Sequence, residues 1–166
     1  MEMNPVKHNI TVRAAKEQDI PLIMDLVRSL AKFEGLSDRV LSTEDDLRHA
    51  LFGKRPYAEA IIAEVHRDAA GFIIFYHNFS SFAGKPGLYI EDIFVYPRYR
   101  GLGVGKELMV RCGQIAKERN CGRMEWSVLD WNPARKFYEH FGGELQKEWL
   151  LYRLEEKGIE ELAKRK

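Results

Sequence analysis

The sequence has 166 residues, which is enough for one domain with a sizeable core and too short for two ordinary domains. Its 26 Lys and Arg residues nearly balance 25 Asp and Glu residues, so the net charge of +1 lacks the basic field typical of nucleic-acid-binding proteins. The opening MEMNPVKHNI has no apolar signal-peptide core, and no run approaches the roughly 18 apolar residues of a membrane span. We expect a single domain over residues 1–166, cytoplasmic, with no nucleic acid or membrane partner.

The cysteines and histidines predict neither a disulfide framework nor a metal centre. Cys112 and Cys121 are too few for either, and each stands where a small apolar residue would serve. We expect both to be buried structural thiols in a reducing cytoplasm. The five histidines, among them His8 near the start, show no metal-ligand spacing. We expect no metal cofactor.

Hydrophobic periodicity predicts a first strand followed by two helices. A short strand is expected around residues 10–13. Apolar residues then recur at helical spacing from Ile20, and the helix is expected to end near Gly35. Ser42 and Thr43 are candidate N-caps of a shorter helix that ends near Gly53.

The period then changes to that of strands. The segments 60–65 and 71–79 are rich in β-branched and aromatic residues and predict an antiparallel hairpin. A third strand is expected from Leu88 to Val95. Pro97 cannot continue a central strand, so the sheet should release the chain there.

The second half predicts a long helix from Val104, a strand over 123–129, a short helix, a last strand around 149–154 and a charged terminal helix. Asn132 is the expected N-cap of the short helix, with Pro133 in its first turn. The order β-α-α-β-β-β-α-β-α-β predicts an α/β (α+β) fold with a mixed central sheet and helices on both faces.

Glycines at positions 101, 103 and 105 lie between a predicted strand and a predicted helix. Such a turn lets a backbone approach a ligand closely, and a helix start presents free N–H groups to an anion such as phosphate. A P-loop is excluded because Arg100 and Glu107 occupy positions that require Gly and Ser or Thr, and Lys106 replaces the third glycine of a dinucleotide fingerprint. The remaining pattern is R-x-x-G-x-G, for which a purely structural glycine turn is the alternative.

Together with the preceding strand, YIEDIFVYPRYRG, this pattern resembles the acetyl-CoA site of the GNAT acetyltransferases. The segments LAKFEGLSDRV (30–40), LYIEDIFVYPRYRGLGVG (88–105) and VLDWNPARKFY (128–138) are most similar to the spermidine/spermine acetyltransferase branch and its thialysine acetyltransferase relatives. The resemblance implies the GNAT fold, with a mostly antiparallel sheet that splays at the acetyl-CoA site. It places the pantetheine arm and phosphates of acetyl-CoA against Ile93, Phe94, Val95, Arg100, Gly101, Leu102, Gly103, Val104, Gly105, Lys106, Asn132, Pro133 and Ala134.

An acetyl transfer to an amine needs a base and an acid. An alkylamine with a pKa near 10.4 must lose a proton before it attacks, and the departing thiolate must gain one. Simple alternation places Leu88, Ile90, Asp92 and Phe94 on one face, so Glu91 and Asp92 are expected to point oppositely. The resemblance gives the base role to Glu91 and the acid role to Tyr138, whose phenol can donate a proton.

The resemblance also implies a small amine substrate with extra positive charge. Its side of the site would be lined by Phe33, Glu34, Ser81, Glu91, Glu125, Trp126, Ser127 and Glu148. Spermidine/spermine enzymes carry an acid where Ser81 stands, whereas the thialysine branch has serine, which favours shorter amines. We expect direct transfer of acetyl from acetyl-CoA to a polyamine, diamine or thialysine-like amine, in a homodimer. The alternatives are transfer to a protein lysine or N-terminus, and a non-catalytic CoA-binding regulator.

Overall fold

The computed structural model describes residues 9–165, so His8, the preceding residues and Lys166 lie outside the described residues. The chain divides into two compact units between Ser127 and Val128. No helix of the described residues is both long enough and apolar enough to cross a membrane.

The first unit contains a five-stranded sheet in the order β1-β2-β3-β4-β5. The first three neighbouring pairs are antiparallel and the last is parallel, which confirms the predicted mixed, mostly antiparallel sheet. The strands are β1 (Ile10–Ala14), β2 (Glu59–Val65), β3 (Asp68–Ser80), β4 (Lys85–Val95) and β5 (Arg123–Trp126).

Three helices belong to this unit: α1 (Ile20–Glu34), α2 (Glu44–Phe52) and α3 (Val104–Glu118). Their ends follow the local signals in the sequence. Gly35 adopts a left-handed conformation at the end of α1, and the Thr43 hydroxyl accepts the N–H of Asp46 at the start of α2. Beyond β4, Pro97 opens a single 3₁₀ turn, which confirms that the sheet releases the chain there.

The helices cover both faces of the sheet, as predicted. On the first face, apolar side chains of α1 and α2 form one buried cluster with Phe72, Ile74 and Phe94. On the second face, Arg119 at the end of α3 lies over the ring of Phe75 and pairs with Glu59. We call these the α1 face and the α3 face.

A β-bulge in β4 contradicts the simple alternation expected from the sequence. Ile74 pairs with Asp92, but the next residue of β3, Phe75, pairs with Ile90, so Glu91 is an extra residue without a partner in β3. Asp92 therefore lies on the α1 face with Ile74, whereas Ile90 lies on the α3 face with Phe75. The expectation that Ile90 and Asp92 share a face was wrong, because one inserted residue reverses the alternation beyond it.

The second unit contains α4 (Ala134–His140) and α5 (Glu156–Ala163). The strand expected around 149–154 is absent, and β5 ends at Trp126 instead of continuing to 129. Within residues 9–165 no strand pairs with the 149–154 segment, and its side chains are exposed. The apolar, β-prone composition was insufficient because a strand needs a neighbour to satisfy its backbone N–H and C=O groups.

Candidate active site

The sheet opens at one point along β4. The parallel pairing with β5 runs from Gly87 opposite Arg123 to Ile90 opposite Trp126 and ends there. Beyond the bulge residue Glu91, residues 92–95 remain paired with β3 on one side only. Their other edge consequently offers backbone groups of Ile93 and neighbouring residues to an extended ligand, as the predicted splay requires.

The glycine turn follows two residues after the 3₁₀ turn that ends this strand. Gly101 and Gly103 have φ angles of 78° and 94°, a left-handed conformation that side chains disfavour. The first bond of α3 runs from the N–H of Glu107 to the carbonyl of Gly103. The N–H groups of residues 104–106 thus have no acceptor within the helix and form a site suited to an anion.

Arg100 connects the glycine turn to the end of α1. Its guanidinium carbon lies 4.6 Å from the ring centre of Phe33 and 5.5 Å from that of Phe94. Its Nε donates to the carbonyl of Val95 at 3.0 Å. The structure therefore brings together Phe33, a predicted substrate residue, and three predicted cofactor residues.

Two carboxylates act electrostatically on a third, Asp92, beside this point. Burial, followed by the charges of Glu91 and Glu34, raises the pKa of Asp92 to about 6. Burial also raises the pKa of Glu34. Glu91 itself is exposed at the bulge, which is a common device for re-aiming a side chain next to an active site. The structure thus brings the predicted base together with Glu34 and with Asp92, which the sequence had assigned to the opposite face.

Two tyrosines continue the α1 face beyond the bulge. Tyr76 and Tyr89 pair across β3 and β4 with ring centres 5.1 Å apart. The Tyr89 hydroxyl lies 2.8 Å from the Ser127 hydroxyl. Burial, followed by the charges of Glu91, Tyr89 and Glu125, raises the pKa of Tyr76. Sequence reasoning named neither tyrosine, and simple alternation places Tyr89 opposite Asp92, whereas the bulge puts the two on the same face.

Glu125 is held on the same face by two neighbours. Its Oε2 accepts a hydrogen bond from Nδ2 of Asn78 at 2.8 Å and forms an ion pair with Arg123, whose Nε lies 2.8 Å away. A Cβ at position 87 would come within 2.3 Å of Oδ1 of Asn78, so Gly87 makes room for this amide. The predicted substrate residue Glu125 is therefore already ion-paired, with its orientation fixed by Asn78.

One other predicted substrate residue of the first unit, Ser81, does not join this group. Ser81 is exposed in the turn between β3 and β4, and the extended strand from Lys85 to Glu91 alone spans about 20 Å. Glu148 is exposed in the second unit. Trp126 ends β5 opposite Ile90, at the point where the strands separate.

The second unit presents the predicted acid at the end of a short helix. Tyr138 is buried in α4, and its ring centre lies 5.4 Å from that of Phe137. Oδ1 of Asn132 accepts a hydrogen bond from the N–H of Ala134 at 2.9 Å, but the N-cap is Pro133, one residue later than expected. Pro133 immediately precedes the helix at Ala134.

Among residues 9–165, no three His, Cys, Asp or Glu side chains are grouped as metal ligands.

The family follows from comparison with known proteins. Residues 24–143 match the model of the acetyltransferase (GNAT) family. The chain is a GNAT N-acetyltransferase. The GNAT match includes Phe33, Glu91, the glycine turn and Tyr138, and it excludes Glu148.

Several characterised relatives of this GNAT chain act on small amines according to their names. A bovine (Bos taurus) thialysine N-epsilon-acetyltransferase is 33% identical over 93% of this chain and 97% of its own length. An L-ornithine N5-acetyltransferase of Arabidopsis thaliana is 31% identical over 92% of this chain and 88% of its own length. A solved integron cassette protein from the mobile metagenome of V. cholerae superimposes with a TM-score of 0.76 and 28% identity, covering 94% of this chain and 98% of that one.

Proposed function

We propose that this GNAT protein transfers the acetyl group of acetyl-CoA directly to the primary amine of a small thialysine-like, diamine or polyamine substrate. The observation that carries the proposal is the position of Glu91, an exposed carboxylate on a bulge one residue beyond the last β4–β5 pair. A base is needed there because an alkylamine is protonated at neutral pH. The names of the relatives support a small amine as the acceptor.

The residues that fit acetyl-CoA are the open edge at 91–95 and the glycine turn. No side-chain atom crowds Gly101, and the free N–H groups of the first turn of α3 suit the negative charge of phosphates. Acetyl-CoA supplies an activated thioester, so no covalent acetyl-enzyme is required. Arg100, Gly103, Lys106 and Asn132 are the residues we expect to hold it.

Glu91 receives a proton from the substrate ammonium, directly or through water, which frees the nitrogen lone pair for attack. The new N–C bond forms as the C–S bond breaks, the nitrogen releases its second proton to solvent to give the neutral amide, and Tyr138 donates its phenolic proton to the leaving sulfur. Solvent then reprotonates the phenolate. Glu34, Asp92 and Glu125 provide negative charge for the remaining cationic groups of the substrate.

The direct test is thiol release from acetyl-CoA in the presence of thialysine, lysine, ornithine, putrescine, spermidine and spermine. Turnover with at least one of these amines, reported as kcat/KM, is the expected result. Acetyl-CoA binding without turnover of any amine would contradict the proposed acceptor class. Intact-peptide mass spectrometry with lysine-containing peptides would then identify a protein acceptor.

A further inference from the structure

A cavity of about 330 Å³ opens on the α1 face beside Glu91. One wall is the C-terminal half of α1, including Glu34, and another is the segment after α1, including Arg39 and Ser42. Asp92 of β4 closes it toward the bulge. The volume lies at the lower end of the roughly 300–1,000 Å³ typical of small-molecule sites.

The cavity is lined by charges of both signs. Glu34 and Asp92 are half-buried carboxylates, whereas Arg39 is an exposed guanidinium. Within residues 9–165, no ion pair joins Arg39 to either carboxylate. The other lining side chains, such as Val27 and Leu30, are mostly apolar and suit methylene groups.

A diamine or polyamine has only cationic groups, so it would use the carboxylates and leave Arg39 without a partner. An α-amino acid head group carries an ammonium and a carboxylate on one carbon and complements both signs of charge. The guanidinium fork matches a carboxylate in a bidentate manner. The side chain of the amino acid would then extend along the apolar wall toward Glu91, the residue that follows the last β4–β5 pair.

We infer that this cavity binds the head group of an α-amino acid substrate, with Arg39 holding the α-carboxylate and Glu34 and Asp92 holding the α-ammonium. The inference rests on the proposed function and deepens it, since it selects amino acids with a terminal amine over diamines and polyamines. Arg39 is a specificity-determining residue for the carboxylate.

Matched substrates isolate the carboxylate. Cadaverine is lysine without its α-carboxylate, and putrescine is ornithine without it. We expect wild-type kcat/KM to be at least about 10-fold higher for each amino acid than for its diamine. Arg39→Gln should lower kcat/KM for the amino acids about 10- to 100-fold, the range of a charge-assisted hydrogen bond, and leave the diamines within about twofold. Arg39→Lys should restore part of the loss because it keeps the charge and loses the fork.

Arg28→Gln is the matched control, since Arg28 is an exposed α1 arginine that does not line the cavity, and the same charge is removed. It should leave the amino acid preference unchanged. Three outcomes would overturn the inference while leaving the proposed function intact. The first is an equal decrease of kcat/KM for amino acids and diamines in Arg39→Gln. The others are an increased KM for acetyl-CoA in that variant and a wild-type preference for diamines. Absence of turnover with these four amines and also with thialysine, spermidine and spermine would instead overturn the proposed function, and this inference with it.

Discussion

Ile90 is the last residue of β4 that pairs with β5, and its partner there is Trp126. The residue that follows Ile90 is the unpaired bulge residue Glu91. The candidate base Glu91 is therefore the first residue after the point where β4 and β5 separate. A carboxylate at the separation point lies next to the open edge without belonging to the regular ladder of either neighbouring strand.

Glu91→Gln should lower kcat/KM for the amine about 100-fold near pH 7, since the amide cannot accept the ammonium proton. The loss should narrow as the pH rises toward about 10, where the substrate is increasingly present as the free amine. Initial rates across pH 6.5–10 for both enzymes test this. Parallel pH profiles with an equal loss at every pH would place the base elsewhere.

Tyr138→Phe should reduce kcat by about 100-fold or more and change the KM for acetyl-CoA much less, because only the donated proton is removed. The buried ring and its contact with Phe137 can be retained by Phe. Tyr152→Phe is the control, because Tyr152 is 88% exposed in the same unit and should be silent. An undiminished kcat in Tyr138→Phe would remove the acid role.

Asp92→Asn should stabilise the protein above pH 6. The folded-state pKa of Asp92 is raised from 3.8 to about 6, so folding favours the protonated form and ionisation at neutral pH destabilises the fold. A shift of this size corresponds to the order of 2–3 kcal/mol. The difference in unfolding free energy between Asp92→Asn and the wild type should reach its maximum above about pH 6 and decrease as the pH falls toward about 4. Denaturant titrations at pH 4.5 and 8 test this: an ordinary pKa of Asp92 would give the same difference at both pH values, and a depressed pKa would give the opposite trend.

Gly101→Ala should destabilise the fold by about 1 kcal/mol and raise the KM for acetyl-CoA, because alanine resists the φ angle of 78°. Gly113→Ala is a matched control within α3, where a Cβ meets no atom within 4 Å. That change should stabilise the protein by about 0.5–1 kcal/mol through helix propensity. Thermal unfolding measures the stability of both variants, and titration with acetyl-CoA measures its KM. Equal changes of stability and of KM in the two variants would contradict the role given to the glycine turn.

The sequence predicted the features that depend on neighbouring residues. The cap at Thr43, the left-handed end at Gly35 and the release of the sheet before Pro97 follow from side-chain chemistry within a few positions. The family assignment and the helices on both faces of a mixed sheet were also predictable, since the glycine pattern and its strand are long enough to be specific.

The bulge was not predictable, because a period of two in β4 looks regular until the pairing with β3 is known. This missed pairing explains why Asp92 and Tyr89, which share the α1 face, were expected on opposite faces. The missing strand over 149–154 has a related cause. Strand formation depends on a partner elsewhere in the chain, which local composition does not specify.

The extra residue in β4 also affects how this strand can change in length. Deleting Glu91 would make Ile90 and Asp92 consecutive residues, so the ladder with β3 would become regular while both halves of the strand kept their present faces. Deleting another residue of β4 and absorbing the bulge would instead turn the residues between the deletion and the bulge to the other face of the sheet. Over evolution, insertions and deletions should therefore avoid the core of β4 and accumulate in the exposed 81–84 turn, where no buried pattern depends on residue count.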